Sequence, residues 1–253
     1  MKNNIYCVAA AGILFSVVLL SCKKENNRSE PQVVSASGDI NAAINSFRNL
    51  LGATLNTTPG HTSGRREINW DGVPDTFEHQ KIPVNFFNPI EPGSNPALQR
   101  GFLYSAQTDA RISATNFASL EASNATQFAA FSGSKTFSAV SSNLWNVQFA
   151  VPGQDAAASV KGFGAVFSDV DIAGSASMEF FSGTTSLGVF KVPVHTNGSH
   201  SFLGVYFADK KVTKITIQQG SAVVANGVKD ISAGGTNDLV IMDDFLYDEP
   251  QGL

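Results

Sequence analysis

Short apolar runs with strand-like alternation recur along most of this chain, and their spacing constrains the fold more than any other feature. Trp145, Val147 and Phe149 alternate with polar residues. The same period of two recurs in Ala176, Met178 and Phe180. Turns rich in glycine, proline and asparagine separate such runs at intervals of about 8–12 residues. Residues 84–87 are predicted to form one of the strands, and the runs 202–207 and 212–218 are predicted to pair as a hairpin. Roughly ten to thirteen strands at this spacing predict an all-β chain, folded as a jelly-roll-like β-sandwich.

One segment near the N terminus follows a helical period instead. Its apolar positions lie on one face of a helix over about residues 39–51, namely Ile40, Ala43, Ile44, Phe47, Leu50 and Leu51. Ser37 or Asp39 can cap the helix, and Gly52 can end it. We expect this apolar face to pack on the sandwich. The alternative is a helix that is used only on meeting a partner.

The last hydrophobic run, Leu239–Tyr247, has seven apolar residues among nine and predicts a buried strand. Asp243 and Asp244 interrupt it. Strict alternation places one acid in a row with Leu239, Ile241, Phe245 and Tyr247, and the other with Val240, Met242 and Leu246. If both faces are covered, at least one carboxylate must be neutralised by a cation, an arginine or backbone N–H groups.

Residues 1–22 have the pattern of an export signal. Lys2 supplies a positive start, and the apolar stretch from Val8 to Leu20 is short for a membrane span. The ending Leu19–Cys22 (LLSC) resembles the lipobox of bacterial lipoproteins. The resemblance implies cleavage before Cys22 and attachment of lipid to Cys22. The alternative is an ordinary secretory peptide with an incidental cysteine.

Cysteine usage agrees with export as a lipoprotein. The two cysteines are Cys7, inside the signal, and Cys22, at its end, so no intramolecular disulfide can form after cleavage. Polar residues 23–30 then predict a tether, and residues 23–64 together form the tether and the short helix. The start Lys23–Glu25 resembles that of surface lipoproteins of diderm bacteria. It implies an outer-membrane lipoprotein of the cell envelope, facing the surface or the periplasm, with its lipid as the membrane contact.

Residues 65–253 are predicted to form one β-sandwich domain. Without Lys2 the chain has 16 Lys and Arg against 21 Asp and Glu, a formal net charge of −5. No basic cluster with interleaved aromatic residues occurs in the sequence. These two observations argue against a nucleic-acid partner.

Two further acidic clusters lie at predicted strand ends. Asp169 and Asp171 follow the strand Gly162–Phe167 on the same side, and Asp71 and Asp75 flank a Gly/Pro turn. Same-side carboxylates repel unless they are solvated or bridged, and Ca²⁺ is the usual bridging cation. We therefore predict a structural Ca²⁺ ion. The alternatives are a solvated Asp-rich turn at the first cluster and Asx-turn capping at the second.

Three motifs together resemble a family of secreted bacterial proteins without assigned activity. They are Ile68–Pro74 (INWDGVP), Gly162–Asp171 (GFGAVFSDVD) and Met242–Phe245 (MDDF). The closing strand is also loosely similar to the last strand of carbohydrate-binding-module jelly rolls with the galactose-binding-like fold. That similarity implies a structural calcium held by Asp243 or Asp244, with Asp71 or Glu67 from the entering strand as partners.

Catalytic motifs are poorly represented. Ser132–Lys135 fits S-x-x-K, but its companion motifs are missing, and neither G-x-S-x-G nor H-E-x-x-H occurs. Sugar recognition on a jelly roll would need an exposed aromatic ring. Trp70, beside a turn, and Tyr104 are the predicted ligand-binding platforms, whereas Trp145 lies in an alternating run and is predicted to be core.

The sequence as a whole predicts a surface-anchored lipoprotein whose domain is a non-catalytic binding or adhesion module, with a glycan as the leading ligand class. One alternative is an extracytoplasmic hydrolase acting on polysaccharide, which would need two positioned carboxylates. Another is a structural envelope protein that binds another protein. An acid pair in a cleft with one raised pKa would favour the hydrolase, and an exposed aromatic in a shallow groove would favour binding.

Overall fold

A computed structural model describes residues 29–253. Fourteen strands and two helices follow along the chain: β1 Gln32–Ser37, α1 Asn41–Leu51, β2 Arg65–Ile68, β3 Phe102–Tyr104, β4 Ala110–Ser113, α2 Asn124–Gln127, β5 Thr136–Ala139, β6 Leu144–Ala150, β7 Ala157–Ser159, β8 Gly162–Val170, β9 Ser177–Ser182, β10 Thr185–Lys191, β11 His195–Tyr206, β12 Lys214–Gln218, β13 Ile241–Asp248 and β14 Gln251–Gly252. Three short 3₁₀ turns lie at Asp75–Phe77, Pro96–Leu98 and Ile231–Ala233.

These strands form two antiparallel sheets of seven strands each. The first sheet has the order β1-β11-β8-β13-β5-β4, with β2 also paired to β13. The second has the order β10-β9-β12-β6-β7-β14, with β3 also paired to β6. The predicted all-β sandwich with a short N-terminal helix is confirmed, and the run Leu239–Tyr247 contains the predicted buried strand, β13.

The core between the sheets is unusually aromatic, as the 19 phenylalanines of the sequence suggest. Phe245 of β13 lies at its centre, with five rings within 6.2 Å of its own ring centre: Trp70, Phe102, Phe137, Trp145 and Phe163. Most of these pairs are edge-on or tilted, which suits the charge distribution of aromatic rings. Trp145 is 2 % exposed, so its predicted core position is confirmed.

Helix α1 covers the opposite face of the first sheet. Its Phe47 packs against Phe202, with ring centres 5.6 Å apart. The Phe47 ring also lies directly over two glycines of the sheet. A Cβ on Gly164 or Gly204 would lie 2.8 Å or 2.7 Å from the Phe47 ring. The bare face that Gly164 of β8 and Gly204 of β11 leave on the sheet therefore lets a helix approach closely.

The segment predicted as tether and helix is more ordered than expected from residue 32 onwards. Strand β1 pairs with β11 over six residues, from Gln32 opposite Tyr206 to Ser37 opposite Ser201. It forms one edge of the first sheet. Residues 32–37 are therefore part of the sandwich, and the tether proper, residues 23–30, falls almost entirely outside the described residues.

Two local predictions are wrong. Residues 84–87, read as a strand, form consecutive turns after Pro83, in which Phe86 N–H donates to the Pro83 carbonyl. The runs 202–207 and 212–218, read as a hairpin, lie in different sheets, because β11 pairs with β8 and β12 pairs with β6 and β9. Both runs carry strand-like side chains, but pairing depends on distant partners that local sequence does not identify.

A buried ion pair joins the entering strand to the end of the chain. Arg66 of β2 donates from Nε and Nη2 to the two carboxylate oxygens of Glu249, both at 2.7 Å. The side chains are 0 % and 1 % exposed. Asn56 donates a further hydrogen bond to Glu249. This bidentate pair closes the sheet where β2 runs beside β13.

Candidate functional site

The acid pair of the closing strand lies in a β-bulge. Met242 pairs with Phe167 of β8, and Phe245 pairs with Ala165. Between these positions β13 therefore has one residue more than β8. The extra residue changes the alternation. Val240, Met242, Phe245 and Tyr247 all face the main core, and the two predicted rows of strict alternation are wrong beyond Met242.

Both acids bind the same short segment, residues 131–135, which we call the 131–135 loop. Asp243 Oδ2 accepts the N–H groups of Phe131 at 2.6 Å and Ser132 at 3.1 Å. Asp244 Oδ1 accepts the Ser132 hydroxyl at 2.5 Å. The two side chains are buried, at 0 % and 5 % exposure. Backbone N–H groups, one of the three means that the sequence left open, therefore serve Asp243, and a hydroxyl group serves Asp244.

The two carboxylates cannot both ionise easily. Burial, and next the neighbouring Asp244, raise the pKa of Asp243 to about 8. Burial also raises the pKa of Asp244, against the hydrogen bond from Ser132. Two close, desolvated carboxyl groups share their last proton because the doubly charged pair is strongly disfavoured. The pair therefore resists taking up a second negative charge.

The second acidic cluster meets the same loop from the other side. Asp71 Oδ1 accepts the Ser134 N–H at 2.8 Å, and Lys135 Nζ lies 2.6 Å from Asp75 Oδ1. Lys135 also donates to the Val73 carbonyl at 2.6 Å. The turn Asp71–Asp75 and the bulge of β13 thus hold the 131–135 loop between them. One oxygen of each carboxylate that was predicted to bind calcium here already contacts a protein donor.

The third cluster, Asp169 and Asp171 after β8, lies elsewhere and gathers different acids. Asp169, Asp171 and Asp230 each offer an oxygen, and these atoms all lie within 4.8 Å of one another. Burial, and next the charge of Asp230, raise the pKa of Asp171 to about 6. The three acidic clusters of the sequence therefore do not form one site. Two of them meet at the 131–135 loop, and the third stands apart.

A fourth carboxylate, Asp238, lies beside this cluster. Its Oδ2 accepts the Ile172 N–H at 2.8 Å and the Ser175 hydroxyl, and its charge contributes to the raised pKa of Asp171. Its Oδ1 is buried, and no donor within residues 29–253 reaches it. Asp230 and Asp238 were missed in the sequence. They lie 61 and 69 residues beyond Asp169, and only the fold brings them near.

Distances decide which acids fit a calcium ion. Ca²⁺ takes oxygen ligands at 2.3–2.6 Å, so two ligands of one ion lie at most about 5 Å apart. The oxygens of Asp169, Asp171 and Asp230 meet this limit. Among the described residues, no group of three acids that includes Asp71, Asp75, Asp243 or Asp244 meets it.

The predicted aromatic platforms are both inside the protein. Trp70 is 1 % exposed, and its ring is stacked on Phe137 with centres 4.2 Å apart. Tyr104 is 3 % exposed, and its hydroxyl donates to the carbonyls of Ile82 and Pro83 at 2.7 Å. Neither ring can stack on a sugar from solution. Their assignment as ligand-binding residues is corrected to core positions.

A polar cavity of about 340 Å³ opens instead beside the acid pair, between α1, the start of β2 and the 131–135 loop. We call it the Arg48–Arg100 cavity. Its lining is formed by charged, amide and hydroxyl side chains with one leucine: Arg48, Leu55, Asn56, Thr57, Glu67, Asn69, Arg100, Ser132 and Asp244. Sequence reasoning singled out Asp244 and Glu67, but the arginines and amides carried no distinguishing signal.

Two guanidinium groups fix the carboxylate at the centre of this cavity. Glu67 accepts from Arg48 Nε and Nη2 at 2.9 and 2.7 Å and from Arg65 Nε at 2.6 Å. Burial alone would raise the pKa of Glu67, but these bonds outweigh it and hold the pKa below its usual value. Glu67 is therefore ionised at neutral pH, whereas Asp244 has a raised pKa.

The predicted lipidation residue, Cys22, lies outside the described residues. Within residues 29–253, no helix is long and apolar enough to cross a membrane. No protein-family model matches the chain, and a search of curated proteins returned no match.

Proposed function

We propose that this protein is a lipoprotein of the bacterial cell envelope, anchored through lipid on Cys22, and that its sandwich is a non-catalytic module that binds a glycan. The sequence supports the anchor through residues 1–22 and the LLSC ending. The observation that carries the binding role is the Arg48–Arg100 cavity, in which amide, hydroxyl and charged groups converge on a space of about 340 Å³. Such groups recognise sugar hydroxyls by hydrogen bonds.

Two side chains of the cavity are particularly suited to a hydroxylated ligand. Asn69 and Thr57 are exposed, and their side chains make no hydrogen bond to any group within residues 29–253. An amide offers donors and an acceptor, and a hydroxyl offers both. A sugar entering the cavity would find these groups ready to bond without breaking contacts of the fold.

A glycan array followed by calorimetric titration of each hit tests this role. We expect at least one oligosaccharide class to bind the full chain and Asn69→Ala to weaken its binding about tenfold, the usual effect of losing one or two hydrogen bonds. Asn49→Ala, at an exposed position of α1 outside the cavity, is the matched control and should bind like the parent. An array without hits would remove the glycan and favour an envelope-protein partner.

A polysaccharide hydrolase is the second candidate, and one observation favours it. Asp244 and Glu67 line the same cavity with pKa values moved in opposite directions, as an acid and a base of a glycosidase would be. Against this role, both Glu67 oxygens already bind arginines, and Asp244 holds Ser132. Release of reducing ends from any array hit, abolished in Asp244→Asn, would establish hydrolysis.

We also propose that Asp169, Asp171 and Asp230 hold a structural Ca²⁺ ion. The support is their mutual distance and the neighbouring Asp238, whose carboxylate adds negative charge at the same place. Carboxylates this close together repel one another, and a divalent cation would relieve that repulsion. The ion would join the end of β8 to the segment before β13.

A further inference from the structure

Within the Arg48–Arg100 cavity, Arg100 is a cation without a counter-charge. Its Nε donates to the Ala97 carbonyl at 2.9 Å, and its Nη1 donates to the Glu67 carbonyl. None of the ion pairs within residues 29–253 includes it. Its Nη2 makes no hydrogen bond to the described residues, and the group lines the cavity. A guanidinium has five N–H donors, so several remain for a ligand.

The cavity as a whole carries a positive surplus. Arg48 and Arg100 line it, and Arg65, which lies outside the lining, binds Glu67 together with Arg48. Glu67 balances one of these three cations, and burial raises the pKa of Asp244, the other acid of the lining, so that its negative charge is disfavoured. The full chain, by contrast, has a formal net charge of −4. A positive cavity on an acidic protein selects for an anionic ligand.

The environment of Arg100 adds to this preference. Burial lowers the pKa of Arg100, the sign of a cation held partly away from water. An unpaired, partly desolvated charge costs free energy, and an incoming anion would offset that cost. The planar guanidinium matches the two oxygens of a carboxylate or sulfate better than an ammonium would.

We propose that the Arg48–Arg100 cavity binds an acidic saccharide, with Arg100 contacting the anionic group of the sugar and Asn69 and Thr57 contacting its hydroxyls. This inference rests on the proposed glycan-binding function and names its ligand class. The anionic group can be the carboxylate of a uronic acid or the sulfate of a sulfated sugar. Both present paired oxygens to the guanidinium.

Calorimetric titration of the full-length chain, purified in detergent, tests the proposal with three probes: trigalacturonate, the neutral galactotriose, and a sulfated galactose oligosaccharide of the same length. We expect an acidic probe to bind at least tenfold more tightly than galactotriose. The acidic arm that binds identifies carboxylate or sulfate as the group recognised. The affinity should fall as NaCl is raised from 50 to 500 mM, because the Debye length shortens to roughly a few ångströms over this range.

Two variants separate Arg100 from general effects of charge. Arg100→Gln should weaken binding of the acidic probe at least tenfold and leave galactotriose within about twofold. Arg111→Gln is the control, because Arg111 of β4 is a surface cation paired with Asp109. It should leave the affinities for the acidic probe and for galactotriose unchanged. Arg100→Lys keeps the charge without the fork and should weaken acidic binding to an intermediate degree. It also serves if Arg100→Gln does not fold.

The outcomes distinguish the two proposals. Equal affinity for neutral and acidic probes, both weakened by Asn69→Ala, would overturn the acidic-saccharide inference and leave glycan binding intact. Acidic binding that is insensitive to Arg100→Gln and Arg100→Lys would also overturn it. Absence of binding by all array saccharides would overturn the proposed function together with the inference.

Discussion

Arg66 and Glu249 form a fully buried, bidentate ion pair that ties the entering strand β2 to the residue after β13. Neither charge has access to water, so each depends on the other for neutralisation. The pair lies at the seam where β2 runs antiparallel to β13, with Tyr247 opposite Arg66.

Removing one charge of this pair should be costly. We expect Glu249→Gln to lower the free energy of unfolding by about 3–5 kcal/mol, because it leaves the Arg66 guanidinium buried without a counter-charge. Urea denaturation followed by circular dichroism measures the loss. Asp109→Asn, at the partly exposed pair with Arg111, is the control and should cost less than about 1 kcal/mol. Equal losses in the two variants would mean that burial of the Arg66–Glu249 pair does not matter.

The Asp243–Asp244 pair should make the sandwich less stable as the pH rises. The pKa of Asp243 is raised to about 8 in the folded protein, above the value near 4 of an unfolded chain. Its contribution to stability is therefore full below about pH 4 and is lost as the pH rises through 8.

Asp243→Asn isolates this contribution, because an amide cannot ionise. With EDTA present, urea unfolding at pH 5, 7 and 9 should show the parent losing stability relative to the variant at each step. Asp171 and Asp248 also have pKa values raised to about 6, so only the difference between the two proteins is informative. A constant difference over this pH range would show that Asp243 ionises as an ordinary carboxylate.

The proposed calcium site predicts a stabilising effect of Ca²⁺. At a concentration one hundred times the dissociation constant, the ion adds about 2.7 kcal/mol, or a rise in Tm of about 5–10 °C. Asp171→Asn should abolish the rise, whereas Asp155→Asn, at an exposed position away from the acids, should retain it. A parent whose Tm is the same in EDTA and in Ca²⁺ has no structural ion.

The close approach of helix α1 depends on glycine. Gly204→Ala would place a methyl group 2.7 Å from the Phe47 ring, and the helix must shift or the ring must turn. Overpacking of this kind costs about 1–3 kcal/mol, measured by urea denaturation. Gly72→Ala, whose added methyl meets no atom within 4 Å, should stay within about 0.5 kcal/mol of the parent. A neutral Gly204→Ala would show that α1 is free to move outward.

The lipid anchor predicts a change of compartment. Cys22→Ser in the full chain removes the only sulfur that could carry lipid after cleavage, so the protein should move from the membrane fraction to the soluble fraction of lysed cells. Cys7→Ser, inside the signal, should leave it in the membrane fraction. Membrane association of Cys22→Ser would favour an anchor of another kind.

The sequence predicts those features of this fold that depend on local pattern. The helix predicted over about 39–51 is observed at Asn41–Leu51, and the alternation around Trp145 is observed in β6. In both elements, the buried positions recur with the period of the apolar residues in the sequence. Pairing is different. The hairpin expected after Phe202 does not form, since β11 and β12 find partners in opposite sheets.

The candidate site shows the same division. A bulge inserts one residue into β13, and this places Phe245 on the same face as Met242, whereas strict alternation assigned the two residues to opposite faces. Trp70 borders a Gly/Pro turn, a position that suggested exposure. Its backbone has a positive φ of 66°, and its ring is buried in the core. Asp230 and Asp238 join Asp169 and Asp171 only through the path of the chain between β12 and β13.

If Cys22 carries lipid, the pairing of β1 with β11 limits how far the sandwich can stand from the membrane. Strand β1 begins at Gln32, ten residues after Cys22, and ten residues extend to at most about 35 Å. With lipid on Cys22, the edge of the first sheet stays within that reach of the bilayer surface. The ligand would therefore be bound close to the membrane, among sugars that are attached to the membrane or lie along it. A long polymer would be bound through the part that lies nearest to the membrane.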